Sequence, residues 1–433
     1  MLSPRMAPAT AFQLDNGLRF IVAEDHAAPV AAVSLWVRAG VCDEPPARRG
    51  IAHFLEHMMF RGSENVAPEE HARRIARLGG ESNAFTLPDA TVFLETVPAY
   101  GLEEALRLEA DRFQRLRFRA EHVEIERKVI LEELHVHENQ PVTRALRRML
   151  AEIGGRHPYA LDPLGRAEDL KVLTLEDLAA FHRACYRPGR VFGVVAGDVD
   201  RGRVEELARK HFGAWNGAAA PGPDVERFLP RVGALSLRLP LEVPLVVRLH
   251  RVPPPAEEDV PAVDLLVALL TSGEASPLRE TLVKNTRLCV EAAGEYFKLR
   301  HGGILVLFAA FMPPGRHAPR RRILSGLCGE IVERGPDPAL FARHLKQFRK
   351  HRAHDAYSPS EKMLGLGEAE MLEGDYRKYE RGLEELARVT PERVQDAARR
   401  LFAPENTLEL DIHPETSKWY LAPLGLLWRL WPR

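Results

Sequence analysis

The chain has 433 residues, with 60 Lys and Arg against 61 Asp and Glu, a formal net charge of −1 and 45% hydrophobic residues. That length predicts two domains of roughly 200 residues each, with ample chain for a buried core. Balanced charge interspersed along the sequence excludes an electrostatic case for binding nucleic acid or an anionic membrane.

The opening MLSPRMAPATAFQLDNG lacks a sustained apolar core, so no signal peptide is expected. The expected compartment is the cytoplasm, or the periplasm if a leader was removed. LRFIVAED (18–25), AAVSLWVRAG (31–40) and TVFLETV (91–97) alternate as strands do, while PEEHARRIARLGG (68–80) and LEEALRLEADRFQRL (102–116) have helical spacing. Each half of the chain reads as α/β. Four scattered cysteines, Cys42, Cys185, Cys289 and Cys328, make no CxxC pair and predict free thiols rather than a disulfide framework or a cysteine zinc site.

Between the first strands lies HFLEHMMFRGSEN, residues 53–65. On a helix, residues four apart share a face with Cβ atoms about 5–6 Å apart, so His53 and His57 can aim at one ion with Glu56 beside them. Phe54, Leu55, Met58 and Met59 make the rest of the helix apolar, so the polar trio needs partners inside a core. A metal is the economical partner. A catalytic zinc takes a third protein ligand, keeps a position for water and lowers that water's pKa from 15.7 to about 7, and Glu56 can take the proton. The third ligand is expected on another rigid element. In EHVEIERKVILEELHVHEN (121–139), a predicted long helix, Glu126 and Glu133 are seven apart and share a face. On chemistry alone Glu132, His135, His137 and Glu138 compete with them.

Further along, GAWNGAAAPGPDVERFLPR (213–231) has the small-residue, Gly and Pro content of a linker. The expected boundaries are 1–217, a linker over 218–231, and 232–433. LTLEDLAAFHRACYRPGRVFGVVAG from Leu173 aligns without gaps with VTPERVQDAARRLFAPENTLELDIH from Val389, an offset of 216 residues or half the chain. Thr174 pairs with Thr390, Tyr186 with Phe402 and Pro188 with Pro404, which predicts a duplicated helix-turn-strand unit. No run reaches the roughly 18 apolar residues of a membrane span. The C-terminal LAPLGLLWRLWPR is expected to dock on another surface.

Taken together, DNGLRFIVAED, AGVCDEPPARRGIAHFLEHMMFRGSEN, GGESNAFTLPDATVF, ERKVILEEL and HPYALDPLG resemble, in order, the pitrilysin family of inverted-motif zinc peptidases. The resemblance is nearest the processing-peptidase branch and its bacterial relatives of about 45 kDa. It implies an α+β fold of two homologous halves, each a mostly antiparallel sheet covered by helices, the second lacking HxxEH. It also implies one zinc per chain, held by His53, His57 and Glu133, which lies 76 residues after His57. Glu56 is then the general base, and Glu126 orients a ligand histidine. Asn83, Ala84 and Phe85 fall on the family's substrate-lining edge strand, which extends a peptide by strand addition.

Active single-chain relatives carry an Arg/Tyr pair in the second half where this sequence has Val283 and Val290. Neither valine side chain can donate a hydrogen bond, and Arg287 and Tyr296 do not align there. The resemblance therefore implies a zinc endopeptidase subunit acting on unfolded peptides in a closed chamber. Its implied partner is a homologous chain without HxxEH that supplies the Arg/Tyr pair, in a heterodimer rather than a homodimer. The alternative is a non-catalytic core or assembly subunit of the same fold, a role in which family members generally lose the zinc residues kept here.

Overall fold

This computed structural model describes residues 8–217, 222–273, 276–313, 315–355 and 357–415. The C-terminal LAPLGLLWRLWPR stretch and residues 218–221 of the expected linker lie outside the described residues. No described helix is long and apolar enough to cross a membrane. The four cysteines are free, three of them buried.

Strands β1 (Thr10–Gln13), β2 (Arg19–Glu24), β3 (Val30–Val37), β4 (Glu81–Thr86), β5 (Thr91–Pro98) and β6 (Val191–Gly197) form one sheet in the order β1-β2-β6-β3-β5-β4. Strands β7 (Gly233–Leu239), β8 (Leu245–Val252), β9 (Glu291–Phe297), β10 (Gly303–Ala310) and β11 (Thr407–Pro414) form a second, β7-β11-β8-β10-β9. Each sheet has a single parallel pair, β2 with β6 and β7 with β11. Read from β2, the first sheet has the same connectivity as the second, which is the signature of the duplication seen in the sequence. The repeated caps match as well. Thr174 Oγ1 accepts the Asp177 amide (3.1 Å) and Thr390 Oγ1 the Arg393 amide (3.4 Å), each opening the helix that precedes β6 or β11 in the chain.

In the first unit, Ala31, Val33, Leu35 and Val37 of β3 face a core built with helices α1 (Ile51–Met58) and α3 (Leu102–Arg115), together with residues 175–185 and 201–212. The intervening Ala32 and Trp36 face the opposite way, against Met363, Leu366 and Met371 of the helix Pro359–Glu373. A strand buried on both faces loses the polar alternation of a half-exposed one, hence the nearly continuous apolar run VAAVSLWV.

That second layer makes the compact units discontinuous in sequence. One comprises residues 1–136, 161–225 and 353–381; the other comprises 137–160, 226–352 and 382–433. A boundary at 218–231 follows the duplication, whereas packing exchanges two helical segments across it. Residues 353–381 join the first unit because buried Glu370 accepts hydrogen bonds from Arg19 (2.7 Å) and Arg38 (3.1 Å) beneath the apolar contacts. In the second unit, the Arg231 amide donates to the Ile153 carbonyl (2.7 Å), tying 137–160 to the stretch that follows residue 226.

Gly367 is where this layer comes closest to the sheet, since a Cβ there would overlap the Trp36 indole. Gly367→Ala is expected to cost about 1–3 kcal/mol by overpacking. Urea unfolding measures it, and an unchanged midpoint would mean the helix does not sit this tightly on β3.

Candidate functional site

Helix α1 begins where a left-handed residue is required. Gly50 has φ 91°, and a Cβ there would crowd the Leu164 carbonyl at 2.8 Å. Buried Glu44 caps this helix end, accepting the Gly50 and Ala52 amides at 3.0 and 3.1 Å. Ile51, Ala52, Phe54, Leu55 and Met58 sink into the core, which draws the polar face in behind them, leaving His53 and Glu56 each only 8% exposed.

Helix α4 (Ala120–Asn139) faces α1 with two carboxylates one heptad apart. Glu126, its side chain 3% exposed, meets His57 Nδ1 at 3.0 Å and also pairs with Arg61. Holding Nδ1 leaves His57 Nε2 as the nitrogen available to a ligand. Glu133 Oε2 lies 3.6 Å from His57 Nε2 and 3.8 Å from His53 Nε2. The imidazole centroids are 4.6 Å apart with planes at 72°. These separations are too long for hydrogen bonds but close to the edges of about 3.4 Å expected of a tetrahedron with zinc bonds of 2.0–2.2 Å. One donor atom from each of His53, His57 and Glu133 lies within 4.8 Å of the others. Two imidazoles and a carboxylate suit a catalytic zinc, and the 37% exposure of the Glu133 side chain leaves the group open to solvent. Glu132, His135, His137 and Glu138 stay outside this group.

Glu56 sits beside the donors, and Thr86 Oγ1 donates to its Oε2 at 2.6 Å. Burial raises the Glu56 carboxyl above its ordinary pKa, while the Thr86 hydrogen bond and the charge of His57 pull it back. Burial works to lower the pKa of His57, but the Glu126 hydrogen bond and the carboxylates of Glu126, Glu56 and Glu133 outweigh it and raise the value. Asn83, Ala84 and Phe85 lie on β4, the last strand of its sheet, paired with β5 alone among the described residues. Its outer edge is free to take a further strand. Val283 is buried in the second unit's core and Val290 bonds its amide to the Ala310 carbonyl at 2.8 Å.

Several residues that shape the site escaped the sequence reading. Arg127 donates to the Leu173 carbonyl at 2.7 Å and to that of Leu170, and its guanidinium lies 5.8 Å from the Phe54 ring, locking α4 against α1. Behind α1, fully enclosed, His71 of helix α2 (Glu70–Arg77) bonds Glu95, while Arg112 bonds Glu109 through two nitrogens. His71, Glu95 and Glu109 also have the donor types of a metal site. Arg112 already balances one carboxylate there, and burial raises Glu95 and Glu109 to about 7 and lowers His71 to about 3. The Arg112 guanidinium stacks over Phe60 (5.0 Å) and Phe93 (4.6 Å), beneath the end of the histidine helix.

Residues 19–164 match the family described as Insulinase (Peptidase family M16), and residues 173–348 match the Peptidase M16 inactive domain. The chain belongs to peptidase family M16. It is 29% identical over 397 residues to a Mycobacterium tuberculosis protein named an uncharacterized zinc protease, covering 90% of each chain. It is 29% identical over 309 residues to zinc protease PqqE of Helicobacter pylori, covering 69% of each. In three dimensions this M16 chain superposes on the crystal structure of a protease from Helicobacter pylori with a TM-score of 0.86 at 24% identity, over 94% of this chain and 100% of that one.

The Glu44 cap gives the histidine helix a pH dependence. Burial raises this carboxyl from 4.5 to about 8, against the pull of the Gly50 and Ala52 amides. A raised carboxyl stabilises the fold fully below pH 4.5, and that contribution fades as pH rises through about 8. The urea midpoint of the wild type is expected to decline more steeply across that window than that of Glu44→Gln, whose side chain stays neutral. Parallel profiles would contradict the assignment.

Proposed function

We propose that this chain is a zinc-dependent endopeptidase subunit that hydrolyses unfolded peptides in a closed chamber. The observation that carries the reading is the convergence of His53, His57 and Glu133, from two helices, beside the buried carboxylate of Glu56. One zinc ion per chain, bound by those three residues, supplies Lewis acidity for the peptide carbonyl and brings water within reach of deprotonation near neutral pH.

The chain's own groups do the rest. Glu56 accepts the proton of the attacking water and passes it to the leaving amine, a transfer worth about 10²–10⁴-fold in rate. Glu126 holds His57 Nδ1 and so keeps Nε2 turned to the donor group. The free edge of β4 at Asn83, Ala84 and Phe85 aligns an extended peptide by main-chain hydrogen bonds, which carry little sequence preference. Because the Val283 and Val290 side chains offer no donor, the hydrogen bonds to the carbonyl oxygen come from a homologous partner that carries the Arg/Tyr pair, in a heterodimer.

The test is peptide hydrolysis with metal analysis, on the chain alone and with the partner that co-purifies from its own cells. Glu56→Gln is expected to keep one zinc per chain and to lose at least about 10²-fold in kcat. Normal cleavage by that variant would remove Glu56 as the base. Full turnover by a homodimer would remove the divided labour, and a metal-free native chain would favour the assembly role.

A further inference from the structure

We propose that Thr86 is a positioning residue for the general base, tying the Glu56 carboxylate to the strand that aligns the peptide. The inference rests on the proposed hydrolytic role of this site. An ionised carboxylate only accepts hydrogen bonds, so at 2.6 Å the Thr86 hydroxyl is the donor and Glu56 Oε2 the acceptor. With Oε2 held, the proton taken from water goes to Oε1: a water O–H bond breaks and a carboxyl O–H forms. That proton later moves to the amine nitrogen as the peptide C–N bond breaks, restoring the carboxylate, and Thr86 keeps its own proton throughout.

Thr86 is well placed to hold an angle. It is the last residue of β4, opposite Thr91 in register, at a turn closed by the Leu87 amide and Ala90 carbonyl (2.7 Å). The turn is pinned from outside, since the Val41 and Cys42 amides donate to the carbonyls of Leu87 (3.3 Å) and Pro88 (2.9 Å). Gly40 makes that approach possible, because a Cβ there would lie 2.8 Å from both the Ala90 nitrogen and the Pro88 oxygen. A hydroxyl at the end of a strand whose following turn is anchored in this way limits the rotamers of the carboxylate it binds. Since Asn83, Ala84 and Phe85 precede it on β4, a peptide added to that edge is registered against the base as well as against the metal donors.

The test compares Thr86→Val, which keeps the β-branched shape without the hydroxyl, with Thr86→Ser, which restores it. Each variant is purified with its co-purifying partner and assayed on a quenched-fluorescent peptide, with bound zinc and melting temperature measured alongside. Thr86→Val is expected to keep its zinc and melting temperature, hold KM within about twofold and lose about 10–100-fold in kcat. Thr86→Ser should stay within about threefold of wild type. The proposal is overturned if Thr86→Val turns over normally, or if Thr86→Ser falls as far. Loss of zinc from Thr86→Val overturns it too. If Thr86→Val does not fold, Thr86→Ala takes its place, and failure of both would assign the hydroxyl to the fold instead. A wild type that binds no zinc or cuts no peptide fails the hydrolytic reading itself, whereas an active wild type with an indifferent Thr86 fails this inference alone.

Discussion

Three donor atoms from two helices can face one point only if both helices are held to within a fraction of an ångström, and the rest of the first unit serves that requirement. The imidazoles reach the point because the opposite side of their helix is buried. Glu133 reaches it because α4 is clamped by Arg127 to the Leu170 and Leu173 carbonyls and by Glu126 to His57. Loosening either clamp would leave the ligands present but misplaced, which in a metal site costs affinity as surely as deleting one.

Charge is managed around the same point. Glu56, Glu126 and Glu133 crowd two imidazoles, and Glu126 is answered directly by both His57 and Arg61. Unbalanced buried carboxylates are costly, so a divalent ion is the natural complement to this set. The enclosed group of His71, Glu95, Glu109 and Arg112 solves the opposite problem. It carries its own cation, the Arg112 guanidinium bonded to Glu109, and burial raises the carboxyls of Glu95 and Glu109. The two clusters thus differ in burial, since the second is fully enclosed around Arg112 whereas the first keeps Glu133 open to solvent.

How much of this could be read in advance follows from where each signal lies. The histidine helix was legible because both imidazoles and the Glu56 carboxylate fall within five consecutive residues whose other positions are apolar. The duplication was legible as a gap-free alignment, and the sheets bear it out with the same five-strand order. Choosing among the acids and histidines of 121–139 needed more. Helix phase groups Glu126 with Glu133 and the family resemblance gives them different expected roles; in the structure Glu126 contacts His57 Nδ1 at 3.0 Å while Glu133 faces both Nε2 atoms. The Glu44 cap, the Arg127 clamp and the layer formed by 353–381 could not be read at all, because each joins residues whose nearness exists only after folding. Gly367 is plain in sequence and becomes meaningful once Trp36 is found against it.

X-ray absorption at the zinc edge tests the central claim most directly, on the chain purified without added metal. The account requires one ion per chain in a shell of nitrogen and oxygen at about 2.0–2.2 Å, with the outer scattering of two imidazoles. A sulfur shell at about 2.3 Å, a single imidazole, or a folded chain that takes up no zinc would contradict it.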